Sequence, residues 1–332
     1  MKPVVQIVAT SEALAGLAEP WWALWRQSPH ATPFQSPAWL IPWWQSFQPG
    51  VLHTIAVWNG PSLSALAPFY VEQGERRRRL LPLGISVSDH LDVLIAPAGA
   101  EEHAAALAEA IAAVSVDECA LEELRSEACG WQIPCPCTLS CVAAPQSACP
   151  VLTLSGGLDL AGCVPARRRR QLRRAHAAVL RRGAVEIQPI RRGEEEHFLA
   201  QLTRLHGLRW QSQGEPGVMC DPRVRRFHAA ALPELTAAGL SRCSVLRIGE
   251  AVAAAYYGLA GRRCHYGYLG GFDPAFAAES PGSILIGHAI AQAIGEAAAE
   301  FDFLRGQEDY KYSWGAADRW NHRRSLLRTA AA

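Results

Sequence analysis

The segment GGFDPAFAAESPGSILIGHAI, residues 270–290, leads from a strand through a loop directly into a helix, and this decides the fold. Pro281 stands where the helix should begin, because proline is favoured in the first helical turn. The amides of residues 282–284 would then lack partners within the helix and point toward the loop. Together with the helix dipole they predict a site for a phosphate or a carboxylate. The alternative is an ordinary helix capped by Ser280.

The residues around this segment predict the rest of a sheet. Three strands that form antiparallel hairpins precede it, and a helix and a further strand follow. We expect strands at 241–248, 251–261 and 263–271, a helix at 282–299, a strand at 299–305, a short helix near Tyr310 and a last strand near 325–328. This order, in which hairpins are followed by one helix and one strand, differs from the strict alternation of strands and helices. The order therefore predicts the α/β (α+β) class, with mixed, mostly antiparallel sheets flanked by helices.

The chain before this region predicts a second mixed unit. We expect helices at 11–27, 37–47, 101–114, 165–182, 194–212 and 221–238, and strands at 52–58, 64–72 and 151–154. Residues 130–150 contain four prolines and almost no charge, which is typical of a linker or of the last strand of a domain. The sequence therefore predicts two domains, at residues 1–148 and 149–332.

The composition excludes several classes of protein. A net charge of +1 gives the whole molecule no general attraction for nucleic acids or membranes. No apolar run reaches the roughly 18 residues that a membrane span needs, so we expect no membrane insertion. The first residues do not resemble the apolar core of a signal peptide. The ten cysteines lack the spacing of zinc ligands, so we expect no metal, and scattered thiols suit a cytoplasmic protein.

Residues 167–182 contain eight arginines and no acidic residue. One interpretation is a surface helix whose arginine stems cover apolar neighbours while the guanidinium groups meet acids elsewhere. A second is an anion site for a ligand that carries phosphate, which arginine binds through two hydrogen bonds. RNA is a third, although this helix lacks the aromatic side chains that stack on bases.

Several motifs, taken in order, resemble one known family. They are TPFQSPAWLIPWW (32–44), GISVSDHLD (84–92), the arginine-rich helix, LHGLRWQSQGEPG (205–217), GFDPA (271–275), SPGSIL (280–285) and FDFLRGQEDYKYSWGA (301–316). The chain resembles GNAT-superfamily acyltransferases of the CelD/BcsL-like group, which is associated with cellulose and exopolysaccharide biosynthesis and is related to the Fem-type aminoacyltransferases. The resemblance implies two tandem GNAT-like domains, of which the N-terminal one is degenerate.

The resemblance also implies where the acyl donor binds. In this fold the splayed strand before the long helix binds the pantetheine arm, here through Leu269, Gly270 and Gly271. The following loop and helix start would bind the pyrophosphate, and its residues are Ser280, Gly282, Ser283, Ile284 and Leu285. The implied co-substrate is acyl-CoA, with acetyl-CoA as the first expectation, and no metal is required.

Three segments depart from the family pattern. The usual pyrophosphate loop reads Q/R-x-x-G-x-G/A, whereas ESPGSI at residues 279–284 offers a single glycine. Family members often read RGDE where this chain has Gln307 in place of the aspartate, and YLD where it has His90-Leu91-Asp92. The acyl donor, acyl-CoA or aminoacyl-tRNA, therefore stays open, and any role of the missing aspartate would fall to Glu308 or Asp302.

Acyl transfer to an amine requires a base for the ammonium, stabilisation of the oxyanion and a proton for the leaving thiolate. We expect Asp302, Glu308 or His206 to act as the base. Asp302 lies on a predicted central strand, where a carboxylate is costly unless it has a partner. The alternatives are a structural partner for an arginine at Asp302, a surface ion pair at Glu308 and a structural histidine at His206. Tyr268 is the candidate for protonating the thiolate, with Tyr266 on the same strand face.

Substrate contacts are predicted on both domains. In the second domain they are Arg209, Trp210, Asp273, Arg305 and Lys311. In the first domain they are Ser88, Asp89 and Asp92, on the acceptor side. Arg305 precedes a glycine at a strand end, where a tight turn and a fork of donors suit a ligand. The alternatives are an i,i+3 surface pair for Lys311 and a turn or helix cap for Asp89.

The sequence thus predicts a GNAT-type N-acyltransferase, with acetyl transfer the first expectation. It would move an acyl group from acyl-CoA to an amine or hydroxyl of a small molecule, a sugar or a peptidyl acceptor. The first alternative is a Fem-like transferase that takes its aminoacyl group from tRNA. The second is a non-catalytic module that binds a partner in polysaccharide biosynthesis. The acceptor and the oligomeric state stay open.

Overall fold

The structure is a computed structural model that describes residues 2–74, 77–154 and 159–328. The chain divides into two compact units. One runs to Ser147 and resumes at Trp320, and the other extends from Ala148 to Arg319. The first division lies next to the boundary predicted after residue 148. The segment from Trp320 onward belongs to the first unit, whereas the sequence placed it in the second domain; residues 329–332 of that domain lie outside the described residues.

Helices and strands alternate irregularly along the chain. The helices are α1 (Ser11–Gly16), α2 (Ala18–Gln27), α3 (Pro37–Phe47), α4 (Ala100–Ala113), α5 (Ala166–Arg182), α6 (Glu195–Gln211), α7 (Pro222–Ala237), α8 (Pro281–Gly295) and α9 (Asp309–Tyr312). The strands are β1 (Val4–Val8), β2 (Val51–Leu52), β3 (Thr54–Asn59), β4 (Ser62–Ala67), β5 (Phe69–Gln73), β6 (Arg78–Pro82), β7 (Leu94–Ile95), β8 (Glu118–Leu124), β9 (Leu139–Thr153), β10 (Val185–Pro189), β11 (Ser241–Ile248), β12 (Ala251–Gly261), β13 (Cys264–Phe272), β14 (Glu300–Asp302) and β15 (Ala317–Arg328).

The first unit contains two groups of paired strands. Strands β1, β3, β4 and β7 form an antiparallel sheet in that order. A second group runs β15, β8, β6, β5 and β2, in which only the β8–β6 pair is parallel. Its core combines α4 with the inner faces of these strands, including Leu107, Ile55 and Leu326. Leu326 explains why β15 returns to this unit, because its apolar side chain is buried there.

The second unit is built on one sheet in the order β10, β11, β12, β13, β14, β9. All pairs are antiparallel except β13 with β14, which are parallel and are joined by the crossover helix α8. Successive side chains of β12 serve opposite faces: Tyr256 packs in the core beneath α5 and α8, whereas Tyr257 contacts Phe198 of α6 and His228 of α7. The predicted class, mixed and mostly antiparallel sheets flanked by helices, is confirmed.

Several local expectations were wrong. The helix predicted at 11–27 is interrupted at Leu17 and begins after Thr10, whose hydroxyl accepts from the amide of Ala13. The strand predicted at 299–305 ends at Asp302, and Leu304 adopts a left-handed conformation (φ 61°) that leaves the extended region. The strand predicted at 64–72 is two strands, β4 and β5.

The described residues bear on membrane spanning and on metal binding. No helix among them is both long enough and apolar enough to cross a membrane. No group of three or more His, Cys, Asp or Glu side chains in the same ranges is arranged to hold a metal ion.

Candidate active site

Strands β13 and β14 pair over only three residues and then separate. The last paired residues are Tyr266 and Asp302, after which β13 continues to Phe272 alongside β12 alone. A cavity of about 250 Å³ opens where the two strands part. One wall is the free side of β13, from Gly267 to Phe272, and the opposite wall contains Phe301 and Phe303. The resemblance implies a splayed strand at this point.

The cavity is bounded by residues from several elements. It is lined by Arg209, Ala255, Tyr256, Gly267, Tyr268, Leu269, Gly270, Gly271, Phe272, Gly282, Ser283, Leu285, Ile286, Phe301, Phe303 and Tyr310. Four of these residues are glycines of β13 or α8, and most of the others are apolar or aromatic. The cavity is therefore narrow and largely apolar, with few polar side chains.

Helix α6 forms the back of the cavity by packing directly on β13. A Cβ atom added to Gly271 would lie within 2.5 Å of the carbonyl carbon of Leu205 and closer still to the amide nitrogen of His206. Nδ1 of His206 donates a hydrogen bond to the carbonyl oxygen of Gly270 (3.2 Å). Only 3% of His206 is exposed, and burial lowers the pKa of its imidazole. His206 is therefore neutral at pH 7 and connects α6 to the glycine edge of the cavity.

The other end of the cavity is the start of α8. Pro281 is the first helical residue, as predicted, but Ser280 adopts a left-handed conformation (φ 52°) and makes no side-chain cap. The amides of Ser283 and Ile284 donate to the carbonyl oxygen of Ser280 (3.0 and 3.4 Å). Two of the three amides that were expected to be free, those of Ser283 and Ile284, thus donate hydrogen bonds within the turn. Ile284 is buried in the core and does not line the cavity.

Arg168 reaches the same helix start from α5. Its Nη2 donates to the hydroxyl of Ser283 (3.0 Å), and its guanidinium lies 4.2 Å from the ring centre of Trp314. Burial lowers the pKa of Arg168. The sequence predicts an anion-binding helix but does not single out this arginine, because only the packing of α5 against α8 shows which face turns inward.

Arg209 approaches the cavity from the last turn of α6. Its guanidinium carbon lies 5.7 Å from the ring centre of Phe272 and 6.0 Å from that of Trp210. Tyr310 lines the same cavity, with 39% of its surface exposed. Burial, and then the charge of Glu308, raise the pKa of Tyr310 to about 12, against the opposing effect of Arg209. The tyrosine hydroxyl therefore keeps its proton at neutral pH.

Tyr268 belongs to a cluster of aromatic rings behind the cavity wall. Its ring lies 5.6 Å from that of His228 and 5.5 Å from that of Tyr257, both edge-on. Burial lowers the pKa of His228 to about 3, so that ring is neutral at physiological pH. The cluster fixes the orientation of the Tyr268 ring at the cavity surface.

The segment after β14 is held by Lys311 rather than left open to a ligand. The ammonium of Lys311 donates to the carbonyl oxygens of Leu304 (3.1 Å), Arg305 (2.6 Å) and Gly306 (3.1 Å). It also pairs with Glu308 at 2.9 Å, yet only 3% of its side chain is exposed. Lys311 is thus the scaffold of a corner in which Leu304 and Gly306 have positive φ. These contacts favour a structural role over the predicted substrate contact.

The predicted bases differ in their surroundings. Asp302 is buried, and its Oδ1 accepts from the amide of Leu304 (2.7 Å) across the corner. Glu308 has 58% of its side chain exposed and faces Lys311. Neither is among the described residues that line the cavity. Both roles stay predictions.

Gln307 occupies the position at which members of the resembled family often have an aspartate. Its Nε2 donates to Oδ2 of Asp318 (2.9 Å), and the hydroxyl of Tyr312 donates to Oδ1 of the same carboxylate (2.7 Å). An aspartate at position 307 would face Asp318 with like charge. The departure at Gln307 is therefore coupled to Asp318, a carboxylate that the sequence alone does not connect with it.

The remaining residues predicted in the second unit have structural contacts. Asp273 caps the 3₁₀ helix Pro274–Glu279 by accepting from the amide of Ala275, and it pairs with Arg204 at 3.7 Å. The Trp210 ring packs at 5.8 Å from His206 on α6. Arg305 is partly buried beside Gly306. None of these contacts places the residue in the cavity wall.

The residues predicted in the first unit are described within that unit alone. Ser88 is fully buried and accepts from Nε1 of Trp39 (2.8 Å). The backbone carbonyl of Asp89 accepts from Asn321 (2.8 Å). Asp92 is partly buried, and its carboxylate accepts from the amides of Val93, Cys129 and Gly130 at 2.7–2.8 Å. These contacts stabilise the loop; a role of the three residues toward an acceptor stays a prediction.

Asp92 predicts a pH dependence of stability. Burial raises its pKa to about 7, although the three amides and Arg125 act in the opposite direction. The folded state therefore holds this proton up to a higher pH than the unfolded chain, in which an aspartate titrates near about 4. The contribution of Asp92 to the free energy of unfolding should fall as the pH rises from about 4 to about 7.

Denaturant unfolding of wild type and Asp92→Asn over this pH range measures the effect. The buried histidines contribute equally to the free energy of unfolding of both proteins. The difference in that free energy between wild type and variant therefore reports on Asp92 alone. We expect the wild type to lose stability with rising pH relative to the variant. An unchanged difference across the range would contradict the assignment.

The predicted site residues fall into two groups. Those that line the cavity are Arg209, Tyr268, Leu269, Gly270, Gly271, Gly282, Ser283 and Leu285. Those that lie elsewhere in the second unit are His206, Trp210, Asp273, Ser280, Ile284, Asp302, Arg305, Glu308 and Lys311. Residues that the sequence does not select include Arg168, Phe272 and Tyr310. Phe272 and Tyr310 carry a signal, since both lie within motifs that support the family resemblance.

Comparison with known proteins supports the fold. Residues 166–312 match the family model described as an acetyltransferase (GNAT) domain. A search of curated proteins gave no match. Among solved structures, FemX has a TM-score of 0.66 at 11% identity, over 99% of this chain and 98% of that one.

Two further structures are similar in the same way. A conserved protein of unknown function from Bacteroides thetaiotaomicron has a TM-score of 0.63 at 13% identity, over 98% of this chain and all of the other. L-PGS from Bacillus licheniformis has a TM-score of 0.60 at 10% identity, over 94% and 92%. At these identities the likeness shows the fold alone. Residues 166–312 of the second unit are thus similar to a GNAT domain, which is the coarser part of the resemblance.

Proposed function

We propose that this chain is an acyltransferase whose donor is an acyl-CoA thioester bound between the separated strands β13 and β14. The separation itself carries the proposal, because it opens a narrow cavity with α8 beginning at its end. The edge of β13 that faces the cavity offers backbone amides and carbonyls to the two amide groups of a pantetheine arm. The match of residues 166–312 to a GNAT domain supports the same function.

The cavity walls suit a thioester. Phe301, Phe303 and Phe272 give an apolar, aromatic lining that accommodates an alkyl arm and excludes water. The glycines at 267 and 270 permit close approach of the ligand to the strand backbone. A short acyl group, with acetyl as the first expectation, agrees with the small volume of about 250 Å³.

The reaction needs few groups from the protein. The lone pair of the acceptor amine attacks the thioester carbon, the C–S bond breaks, and the amine proton passes to a base. We assign that base to Asp302 or Glu308, with His206 positioning β13 through Gly270. The leaving thiolate takes its proton from Tyr268 or Tyr310, both of which line the cavity.

The acceptor is an amine or a hydroxyl on a small molecule, a sugar or a peptidyl group. Ser88, Asp89 and Asp92 stay candidates for its binding. An association with exopolysaccharide biosynthesis and a cytoplasmic location belong to this proposal through the resemblance to CelD/BcsL-like proteins. The donor is the first object of experiment, because the cavity is the best-defined part of the site.

A panel of acyl-CoA donors tests the function. With a mixture of amine and sugar acceptors, we expect free thiol to be released from at least one short-chain donor. Coenzyme A alone should raise the melting temperature, because it binds the folded state and not the unfolded chain. No thiol from any donor, together with no change in melting temperature, would refute acyl-CoA as the donor.

Aminoacyl-tRNA is the second candidate donor, and the exposed arginines of α5 favour it. Arg167, Arg170, Arg173, Arg174 and Arg181 are exposed, and none forms an ion pair within the described residues. Such a surface predicts salt-dependent tRNA binding. Reversing Arg170 and Arg174 to glutamate should abolish it, with Arg226→Glu on α7 as the control. Unchanged tRNA affinity in the double variant would count against this candidate.

A further inference from the structure

Two exposed cysteines of the first unit bring their sulfur atoms together. Cys135 lies shortly before β9, and Cys141 is the third residue of that strand. A turn joins them, in which the amide of Leu139 donates to the carbonyl oxygen of Pro136 (2.9 Å). The sulfur of Cys135 lies 3.4 Å from the carbonyl oxygen of Leu139. The turn folds the chain back, so the thiol of Cys135 comes within hydrogen-bonding reach of Cys141.

A buried arginine of β15 contacts one of these sulfur atoms. Only 7% of Arg324 is exposed, and its Nε donates a hydrogen bond to Sγ of Cys141 (3.2 Å). Its two terminal nitrogens donate to the carbonyl oxygens of Gly130 (2.6 Å) and Ile133 (2.7 Å). The hydrogen-bond partners of the guanidinium are therefore one sulfur and two neutral carbonyl groups.

No carboxylate neutralises Arg324 within the part of the chain that the structure describes. Glu118 and Glu122 of the neighbouring strand β8 pair instead with Arg323, at 2.7 and 4.0 Å. A buried cation without an anion is unfavourable. Among the partners of Arg324, only Cys141 can acquire a negative charge, by losing its proton. A thiolate is the nucleophilic form of cysteine, so this contact selects Cys141 as the attacking sulfur.

Cys135 has the properties of a second thiol that reacts after Cys141. Its pKa is raised, first by partial desolvation and then by the charge of Cys141 and a hydrogen bond to it, against the opposing effect of Arg324. Cys135 therefore keeps its proton at neutral pH and remains a thiol beside Cys141. Both side chains are exposed, so a small oxidant can reach them from the solvent.

We propose that Cys141 and Cys135 form a dithiol site that is oxidised reversibly by hydroperoxides. The sulfur of Cys141 attacks one peroxide oxygen, the O–O bond breaks, and the released alkoxide takes up the proton that Cys141 had lost. Cys141 is then a sulfenic acid. The sulfur of Cys135 attacks that of Cys141, the S–O bond breaks, and the hydroxide leaves as water with the proton of Cys135.

The two steps balance. Two thiols and one hydroperoxide give one disulfide, one alcohol and one water; with hydrogen peroxide the alcohol is a second water. The pair of sulfur atoms loses two electrons, and the peroxide gains them. A small dithiol reverses the reaction by exchange with the disulfide. The proposal does not depend on the acyl-CoA function, because Cys135, Cys141 and Arg324 all belong to the first unit.

Hydrogen peroxide at one equivalent per chain, followed by alkylation and mass spectrometry, tests the proposal. The wild type should lose two of its ten thiols. Cleavage after Leu139 should then give two fragments joined by a disulfide, and dithiothreitol should restore both thiols. Cys135→Ser should stop at the sulfenic acid of Cys141, which dimedone traps. Cys141→Ser should lose its thiols at least about 10-fold more slowly, because the thiolate beside the guanidinium is gone.

Cys137→Ser is the matched control. Cys137 is exposed and lies between the two proposed partners in the chain, yet its thiol makes no hydrogen bond within the described ranges. The variant should form the disulfide at the rate of the wild type. A disulfide that persists in Cys135→Ser and disappears in Cys137→Ser would refute the pairing.

Arg324→Gln tests the contribution of the guanidinium. The variant should slow the reaction of Cys141 with hydrogen peroxide by about 10-fold, because it removes the positive charge beside the sulfur. Should this variant fail to fold, the wild type decides through its exposed Cys220, which lies in the second unit. Cys141 should react faster than Cys220 at neutral pH. Equal rates for these two thiols would refute the proposal.

Discussion

Gly271→Ala is expected to destabilise the second unit by about 3 kcal/mol, because the added methyl group would overlap the backbone of α6. The new Cβ would lie within 2.5 Å of the carbonyl carbon of Leu205. A backbone atom cannot move aside as a flexible side chain can, so α6 must separate from β13. That separation would also break the hydrogen bond from His206 to Gly270 at the edge of the cavity.

Thermal unfolding measures the effect of Gly271→Ala, with Gly270→Ala as the matched control. A Cβ at Gly270 would come no closer than 3.4 Å to the carbonyl oxygen of Ala255, which is tolerable. We expect the melting temperature to fall by roughly 6–12 °C for Gly271→Ala and by much less for the control. Equal stability of the two variants would mean that α6 does not press on β13.

Lys311→Met is expected to destabilise the same unit by about 3–5 kcal/mol, the usual cost of removing one partner of a buried charged group. Methionine fills a similar volume but leaves the carbonyl oxygens of Leu304, Arg305 and Gly306 without their donor. These residues form the corner after β14, and two of them have positive φ. The corner should therefore lose its shape, and the cavity wall that follows from Phe303 to Tyr310 should be perturbed.

Glu308→Gln separates the two roles of Lys311. This change removes the ion pair but keeps all three bonds to the carbonyl oxygens, and the Glu308 side chain is 58% exposed. We expect a loss below about 1 kcal/mol, as for other exposed pairs. Denaturant unfolding of both variants gives the comparison. Similar losses of stability for Lys311→Met and Glu308→Gln would show that the ion pair, and not the three hydrogen bonds to carbonyl oxygens, stabilises the corner after β14.

Most of the fold could be predicted from local signals. The predicted bounds of β11, β12 and β13 agree with the structure to within a residue at each end, and the turn at Gly249 separates the first two strands. Pro281 identifies the start of α8, since the position of a proline in the first turn depends only on neighbouring residues. The pairing order could not be predicted in this way. The return of β15 to the first unit depends on which core buries Leu326, which is a tertiary property.

The position of the cavity in the chain could be predicted, but not all of the side chains that surround it. The strand–loop–helix order indicates the start of α8, and the resemblance implies the glycines of β13. Gly270, Gly271, Gly282 and Ser283 line the cavity. The charged residues of the last motif suggest ligand contacts because they adjoin a strand end. Lys311 instead satisfies the corner's own carbonyl groups. Positive φ at Leu304 gives no signal in the sequence, so the need for that lysine was hidden.

The sequence predicts an anion site on α5 but does not identify Arg168 as the arginine that faces α8. Eight arginines between residues 167 and 182 predict an anion site without distinguishing its members. The packing of α5 on α8 leaves most of them exposed and turns Arg168 toward Ser283. The choice is made by Leu172, Ala175 and Val179, whose burial sets the rotation of the helix. Charge composition predicts an anion site, and the apolar residues between the arginines determine which arginine faces α8.

A crystal structure of this chain with bound coenzyme A tests the central claim most directly. The account predicts the pantetheine arm between residues 267–272 of β13 and the Phe301–Phe303 wall. It also predicts the diphosphate at the start of α8. Coenzyme A bound outside this cavity would contradict it.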